Sequence, residues 1–336
     1  MVGTYLGTVS EDDPLYDYLK YDIFPQIMNF REDAAFDVYG LNGSNLVYLY
    51  QENHEGARVI GKYFYSEREE NRDVAAFHLE HEYESLMKIR SYGFDEPPYY
   101  VAKPLGKNSD LNELLTVEFC EGELLSNIIT RAIAEQDEDL LFDKLTALAH
   151  FMAAFHNRTA TDEPVDFNQG CDYMDRVVFQ CNRFLSDEDG EEFDALREAW
   201  REKGAMWEDC QVMVHGDATP ANFMFGDGEN VCTFDMERVL YSDRIFDMGR
   251  FAGELLHFFL MKTGNKYAAE PFIGHFLWEY ASCFPDREQT FDSITQRVPF
   301  YMGTTLLRIA RNLWLDQDYC RDLVFEAKEC FEKGMS

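Results

Sequence analysis

VHGDATPANFMF, residues 214–225, carries a histidine, an aspartate and an asparagine (His215, Asp217 and Asn222) in a stretch that is otherwise apolar or small. The aspartate follows the histidine by two residues and precedes the asparagine by five. Pro220 restricts the backbone between the two. A short loop of this kind can hold a carboxylate and an amide in fixed directions, and the chain around it decides what they are held for.

The composition bounds the answer. With 336 residues, 46% of them hydrophobic and 15% aromatic, the chain can bury a substantial core in two structural units. Its 63 acidic and 30 basic residues give a formal charge of −33. That balance disfavours nucleic acid and anionic membrane as partners, because phosphate binding needs a basic footprint. The eight cysteines form no CxxC pair and lie near no histidine at zinc-finger spacing, which argues against structural zinc. The N-terminal MVGTYLGTVSEDDP has no basic start followed by an apolar core, and the greasiest stretch, RFAGELLHFFLM, is interrupted by glutamate and histidine. A cytoplasmic protein with reduced thiols is the expectation.

The pattern changes along the chain. Residues 13–31 read as helical until Pro25, and then DVYG, NLVYLYQ and RVIGKYFY read as strands around the turn-prone GLNGSN and NHEG. A helix, strands around YYVAKPLG, and LLTVEFCEG complete the first region. From Leu124 onward the chain reads as mainly helical, with the acidic runs EQDED and SDEDGEE as solvated turns. The expected fold is α+β, with a small antiparallel-sheet lobe over residues 1–119, including an N-terminal helical extension, and a larger helical lobe over 120–336.

The spacing H-x-D-x-x-x-x-N is that of kinase catalytic loops, in which the aspartate accepts a substrate hydroxyl proton and the asparagine holds magnesium. Thirteen residues beyond Asn222, VCTFDMERV places Asp235 at the end of a short apolar strand, followed by Glu237. A hard oxygen ligand there is what magnesium needs to bridge two phosphates. Glu237 is open to three readings: metal ligand, substrate contact or partner of Arg238.

The first region offers matching parts. Gly40, Gly43 and Ser44 lie in a hairpin where glycine lets backbone approach phosphate oxygens, and Lys62 is a lone cation in an apolar strand. In FHLEHEYESLMKIR, at about 100° per residue, Leu79, Tyr83, Leu86, Ile89 and the stem of Arg90 share one arc. Glu82 lies inside that arc, with Glu80 and Glu84 on the wet side. A buried acid is costly unless paired, and Lys62 on the preceding strand is its nearest sensible partner.

With these residues assembled, the chain resembles the aminoglycoside phosphotransferase and choline kinase superfamily, small-molecule kinases with a bilobal protein-kinase-like fold. HGDATPAN resembles their catalytic loop, FDMER their metal-binding I-D-[FW]-E segment, and YSDRIFDMGR the G-D-P-x-x-D-L-A segment that follows, with Arg244 where proline is usual. The resemblance implies Asp217 as catalytic base, Asn222 and Asp235 as Mg2+ ligands, and Asp247 bracing the loop beside His215. It also implies that Gly43, Ser44, Lys62 and Glu82 serve the nucleotide, with the backbone of Glu118 to Cys120 meeting the purine of ATP or GTP. The implied activity is transfer of a γ-phosphate to a hydroxyl of an aminoglycoside, amino alcohol or sugar. Acidic residues in the helical lobe would suit a cationic acceptor. Two other readings compete: a catalytically inactive nucleotide-binding protein of the same fold, and a metal-dependent hydrolase built on His215, Asp217, Asp235 and Glu237. The hydrolase leaves the glycine hairpin and the Lys62–Glu82 pair unexplained.

Overall fold

In a computed structural model, residues 3–41, 46–67, 69–135, 138–183 and 185–335 are described. Gly43 and Ser44 lie outside them. The chain divides into two compact units, one of residues 1–123 and 224–237, the other of residues 124–223 and 238–336.

The first unit is built on a six-stranded sheet in the order Thr4–Thr8, Phe36–Leu41, Leu46–Glu52, Arg58–Tyr63, Leu114–Glu118, Pro104–Asn108, each neighbour antiparallel to the next. The three expected strands are present in a tight meander, since two of their connections are short enough only for hairpins. Thr4–Thr8 adds an edge strand that the unpatterned TYLGT does not announce. The helical extension is three short pieces: α-helix at Pro14–Asp17, π-helix at Tyr18–Ile23 and 3-10 helix at Phe24–Gln26, with Asp13 capping the first. Tyr16, Tyr18 and Phe24 of this extension pack on the sheet, while Tyr21 is exposed. Tyr16, Phe24 and Phe36 meet in one buried cluster, Phe24 and Phe36 stacked at 4.6 Å between centroids.

The helix Arg72–Ser91 starts on an Asn71 cap and buries Ala75, Leu79, Glu82, Ser85, Leu86 and Ile89, so that of the arc read from its periodicity Leu79, Glu82, Leu86 and Ile89 are buried while Tyr83 and Arg90 are half-buried. The segment 224–237 joins this unit although the helical lobe was expected to contain it. The strand Val231–Thr233 pairs in parallel with Tyr99–Val101, and the Val231 N–H donates to the Pro98 carbonyl. The same pairing brings Cys232 beside the Cys120 segment, and the structure pairs their sulfurs, with Cα atoms 6.6 Å apart. This departs from the expectation that every thiol is free.

The second unit is helical. Glu138–Arg158, Asn168–Gln180, Asp187–Arg201, Ile245–Thr263, Glu270–Ser282, Val298–Ala310 and Gln317–Lys333 supply its long helices, and a two-stranded ribbon pairs Val212–Val214 with Leu240–Ser242. Ile245–Thr263 buries 13 of its 19 residues, which explains its apolar sequence without a membrane. Among the described residues no helix is long and apolar enough to cross one.

Deleting the ring of Phe36, which has no solvent exposure, removes the centre of the aromatic cluster under the sheet. Phe36→Ala is expected to lower unfolding free energy by about 3–5 kcal/mol, read from urea denaturation. A loss below about 1 kcal/mol, the scale of a surface substitution, would contradict this packing.

Candidate active site

Two groups of functional side chains form, one in each unit. In the first unit Lys62 stands on an inner strand, flanked by Val47 and Leu115 on the strands either side, and is 8% exposed. It is therefore no edge-strand surface lysine. Its ammonium donates to Glu82 Oε2 at 2.7 Å, Asp235 Oδ1 at 2.5 Å and Glu237 Oε2 at 3.0 Å. Glu80 and Glu84 face solvent, as the helical arc requires.

Three carboxylates around one ammonium leave an excess of negative charge. Burial pushes the Glu82 carboxyl up, to about 7, against the pull of Lys62, and Asp235 and Glu237 add to the rise. Lys62 moves upward too: burial favours its neutral form, and the three carboxylates overcome that. One oxygen from each of Glu82, Asp235 and Glu237 lies within 4.8 Å of the others. This all-oxygen donor set fits a hard divalent cation such as Mg2+ and suits no soft metal. Asp235 also has φ +64°, a left-handed conformation that costs a non-glycine residue on the order of 1 kcal/mol. The turn aims its carboxylate at Lys62.

The passage after the strand Leu114–Glu118 is shaped by backbone. The Glu118 N–H donates to the Lys103 carbonyl while its carboxylate accepts from the Lys103 N–H. The ring of Phe119 lies under Arg58, 4.0 Å from the guanidinium. Gly122 has φ +143°, and a Cβ there would fall 2.3 Å from the Phe225 carbonyl oxygen. Cys120 is buried here beside Cys232.

In the second unit, the opening motif leaves the strand Val212–Val214 and turns at Gly216, where φ is +78° and a Cβ would sit 2.0 Å from the Arg238 carbonyl. Only glycine fits. The backbone N–H groups of His215 and Gly216 donate to Asp247 Oδ2 and Oδ1 at 2.6 and 3.0 Å. Asp247 has no exposure and accepts from His156 Nε2 at 3.3 Å as well. Burial holds the His156 imidazole below its ordinary pKa in spite of Asp247. Neutral His156 then carries its proton on Nε2 and accepts from the Tyr280 hydroxyl at Nδ1, 2.9 Å away. The Asn222 amide donates to the Asp217 carbonyl at 2.9 Å, closing the loop on itself. Arg244, at the position where the motif usually has proline, is a buried ion partnered by Asp209 and Asn157.

Asp217 itself is held by arginines that sequence reading missed. Its Oδ1 accepts from Arg250 at 3.0 Å and from Arg308 at 2.6 Å, and its Oδ2 faces Arg238 at 4.0 Å. Burial pushes the Asp217 carboxyl up; the three arginines more than offset it and leave it below the ordinary aspartate value. Arg250 also donates to the Tyr173 hydroxyl, and Arg308 to Glu254. A signal was present. In FDMGRFAGE, Asp247, Arg250 and Glu254 recur at helical spacing through an otherwise apolar segment, and a buried charged stripe must be paired.

The Lys62 group makes a pH-dependent prediction. A glutamate raised to about 7 favours the folded state below its ordinary range and loses that advantage as pH rises through 7. Lys62→Met removes the compensating cation and pushes Glu82 higher still. The variant is expected to lose about 1–3 kcal/mol more stability at pH 8 than at pH 5 in paired urea melts. Equal losses at the two pH values would contradict the charge balance described.

The model of the APH phosphotransferase enzyme family matches residues 41–282. No curated protein is similar enough in sequence to match. Among solved structures, amicoumacin kinase in complex with AMP-PNP, Ca2+ and amicoumacin aligns over 95% of this chain and 92% of its own, at 16% identity and TM-score 0.60. Plasmodium vivax ethanolamine kinase aligns over 97% and 89%, at 14% identity and TM-score 0.59. ADP-bound aminoglycoside phosphotransferase APH(2'')-Ib aligns over 95% and 97%, at 12% identity and TM-score 0.55. At these identities the likeness is one of fold, a protein-kinase-like α+β architecture, and the family match carries the activity. The chain belongs to the APH phosphotransferase enzyme family and is a small-molecule phosphotransferase that acts on a hydroxyl group.

Proposed function

We propose that the chain transfers the γ-phosphoryl group of a nucleoside triphosphate, ATP or GTP, to a hydroxyl of a small metabolite, with Mg2+ as cofactor. The observation that carries this reading is the coexistence of two chemically distinct sets: Lys62 with Glu82, Asp235 and Glu237, and Asp217 with its braced loop. A hydrolase would need only His215, Asp217, Asp235 and Glu237. The buried lysine has no task in that chemistry.

In the reaction, the acceptor oxygen forms a bond to the γ-phosphorus, the bond from that phosphorus to the β,γ-bridging oxygen breaks, and the nucleoside diphosphate leaves. The acceptor proton passes to Asp217. Because Oδ1 takes both arginine hydrogen bonds, Oδ2 is the oxygen assigned to receive it. Lys62, fixed by Glu82, would position the phosphates by charge. Asp235 and Asn222 would hold Mg2+, with Glu237 as a further oxygen donor, and the cation when bound offsets the negative charge of the phosphates. Similar folds occur with ADP, GDP and AMP-PNP with Ca2+ bound, which supports a nucleotide and a divalent cation here. The linker Glu118 to Cys120 is assigned to the purine and Gly43 with Ser44 to the phosphates. A cytoplasmic location fits a nucleotide-dependent metabolite kinase.

Asp217→Asn is the informative variant, because the amide oxygen keeps a partner for Arg250, whereas alanine would strand a buried guanidinium. Its turnover of γ-labelled ATP or GTP into phosphorylated metabolite is expected to fall by about 10²–10⁴-fold. Magnesium-nucleotide affinity, read by calorimetry on the folded variant, should stay near that of the parent. Parallel loss of both would contradict the assignment of Asp217 to the chemical step.

A further inference from the structure

We propose that Arg244 and Tyr280 are positioning residues for phosphoryl transfer: with His156 they form one chain of hydrogen bonds that ends on Asp247 and steadies the loop carrying Asp217. The role in transfer rests on the phosphotransferase reading above. The hold on the loop does not.

The chain of bonds begins at Arg244, which is 8% exposed and stands where the family's segment usually has proline. Its Nε donates to Asp209 Oδ2 at 3.0 Å and its Nη1 to Asn157 Oδ1 at 3.1 Å, and the same guanidinium hydrogen-bonds the Tyr280 hydroxyl. A guanidinium can only donate. The Tyr280 oxygen is therefore the acceptor in that contact, and its own proton goes to His156 Nδ1, 2.9 Å away. Burial raises the pKa of Tyr280 against the pull of Arg244, so the hydroxyl keeps the proton it shares. His156 takes this bond at Nδ1 and gives its own N–H, on Nε2, to Asp247 Oδ2 at 3.3 Å. An ionised carboxylate can only accept. A group that only donates stands at one end and a group that only accepts at the other, so the direction of every bond between them is fixed.

The outer end is anchored as well. Asp209 Oδ2 also accepts from Arg297 at 3.0 Å, and the other arm of Arg297 reaches Asp243 Oδ1 at 3.4 Å. Asp243 in turn accepts from the N–H of Ile245, the first residue of the helix that carries Asp247. The bonds thus leave and return to one helical turn.

Filling space does not explain these residues. Tyr280 and His156 have no exposure, and phenylalanine at 280 with the usual proline at 244 would avoid desolvating a hydroxyl and a guanidinium. What the polar atoms add is direction. Without the Tyr280 hydroxyl the imidazole loses the bond that keeps its Nε2 on Asp247, and Asp247 loses a donor while it holds the N–H groups of His215 and Gly216. A shift on the order of 1 Å at a reacting group costs on the order of 10²-fold in rate.

The test compares the parent with Tyr280→Phe, Arg244→Met and the double variant by two measurements. Amide hydrogen exchange at His215 and Gly216, on protein without nucleotide, is expected to be about tenfold faster or more in each variant, while amides of the helix Gln317–Lys333 stay within about twofold of the parent. Turnover of γ-labelled ATP or GTP with Mg2+ and a mixture of hydroxylated metabolites, per folded molecule, is expected to fall about tenfold in each single variant at unchanged magnesium-nucleotide affinity. The double variant should lie within about threefold of the slower single one, because one chain of bonds breaks only once. Arg244→Lys, which keeps a donor-only cation, should recover part of the loss. A merely structural pair would speed exchange throughout the helical unit and leave turnover per folded molecule unchanged, and that result overturns the proposal. Unchanged exchange at 215 and 216 overturns it too, as does a double variant about 100-fold slow, the product that independent residues give. Absence of transfer by the parent would remove the phosphotransferase reading and the catalytic role with it, while the exchange rates still decide the hold on the loop.

Discussion

A single buried carboxylate, Asp247, fixes the loop on which the rest of the site depends. It leaves the first turn of the helix Ile245–Thr263 and accepts both backbone N–H groups at His215 and Gly216. Glycine is the only residue that fits at 216, because the Arg238 carbonyl occupies the space a side chain would need. The backbone of Asp217 is thereby fixed, and Arg250 and Arg308 hold its carboxylate. An unpaired ionised carboxylate at zero exposure would be prohibitively costly. The two N–H donors and His156 make the buried charge tolerable, and the same bonds position the loop.

The Lys62 group works by the opposite balance. One ammonium is shared among three carboxylates, so burial and mutual repulsion raise Glu82, while the carboxylates hold the charge on Lys62 against its burial. Such a group has capacity for another cation through its oxygen donors and for phosphate through its lysine. A magnesium nucleotide is the ligand this balance favours.

Much of this was legible in the sequence, for local reasons. The arc through Leu79, Leu86 and Ile89 placed Glu82 inward because helical periodicity fixes direction, and Lys62 then followed as the cation amid apolar residues of the preceding strand. The spacing from His215 to Asn222 marked the loop because the four residues between Asp217 and Asn222, Pro220 among them, constrain the backbone closely. The arginines at 250 and 308 were not found. They reach Asp217 from positions 33 and 91 residues away, and long-range ion pairs leave no periodic trace of their partner. The membership of residues 224–237 in the sheet-bearing unit was equally hidden, since a parallel pairing of Val231–Thr233 with Tyr99–Val101 has no turn to signal it.

The central claim is that the γ-phosphoryl group moves from nucleotide to an organic hydroxyl and not to water. The most direct measurement is 31P NMR of the protein with ATP or GTP, Mg2+ and a mixture of hydroxylated metabolites in 18O-labelled water. The account predicts a growing phosphate monoester resonance that carries no solvent oxygen, with matching loss of the γ signal. Inorganic phosphate bearing one solvent oxygen as the sole product, with no ester formed, would contradict it.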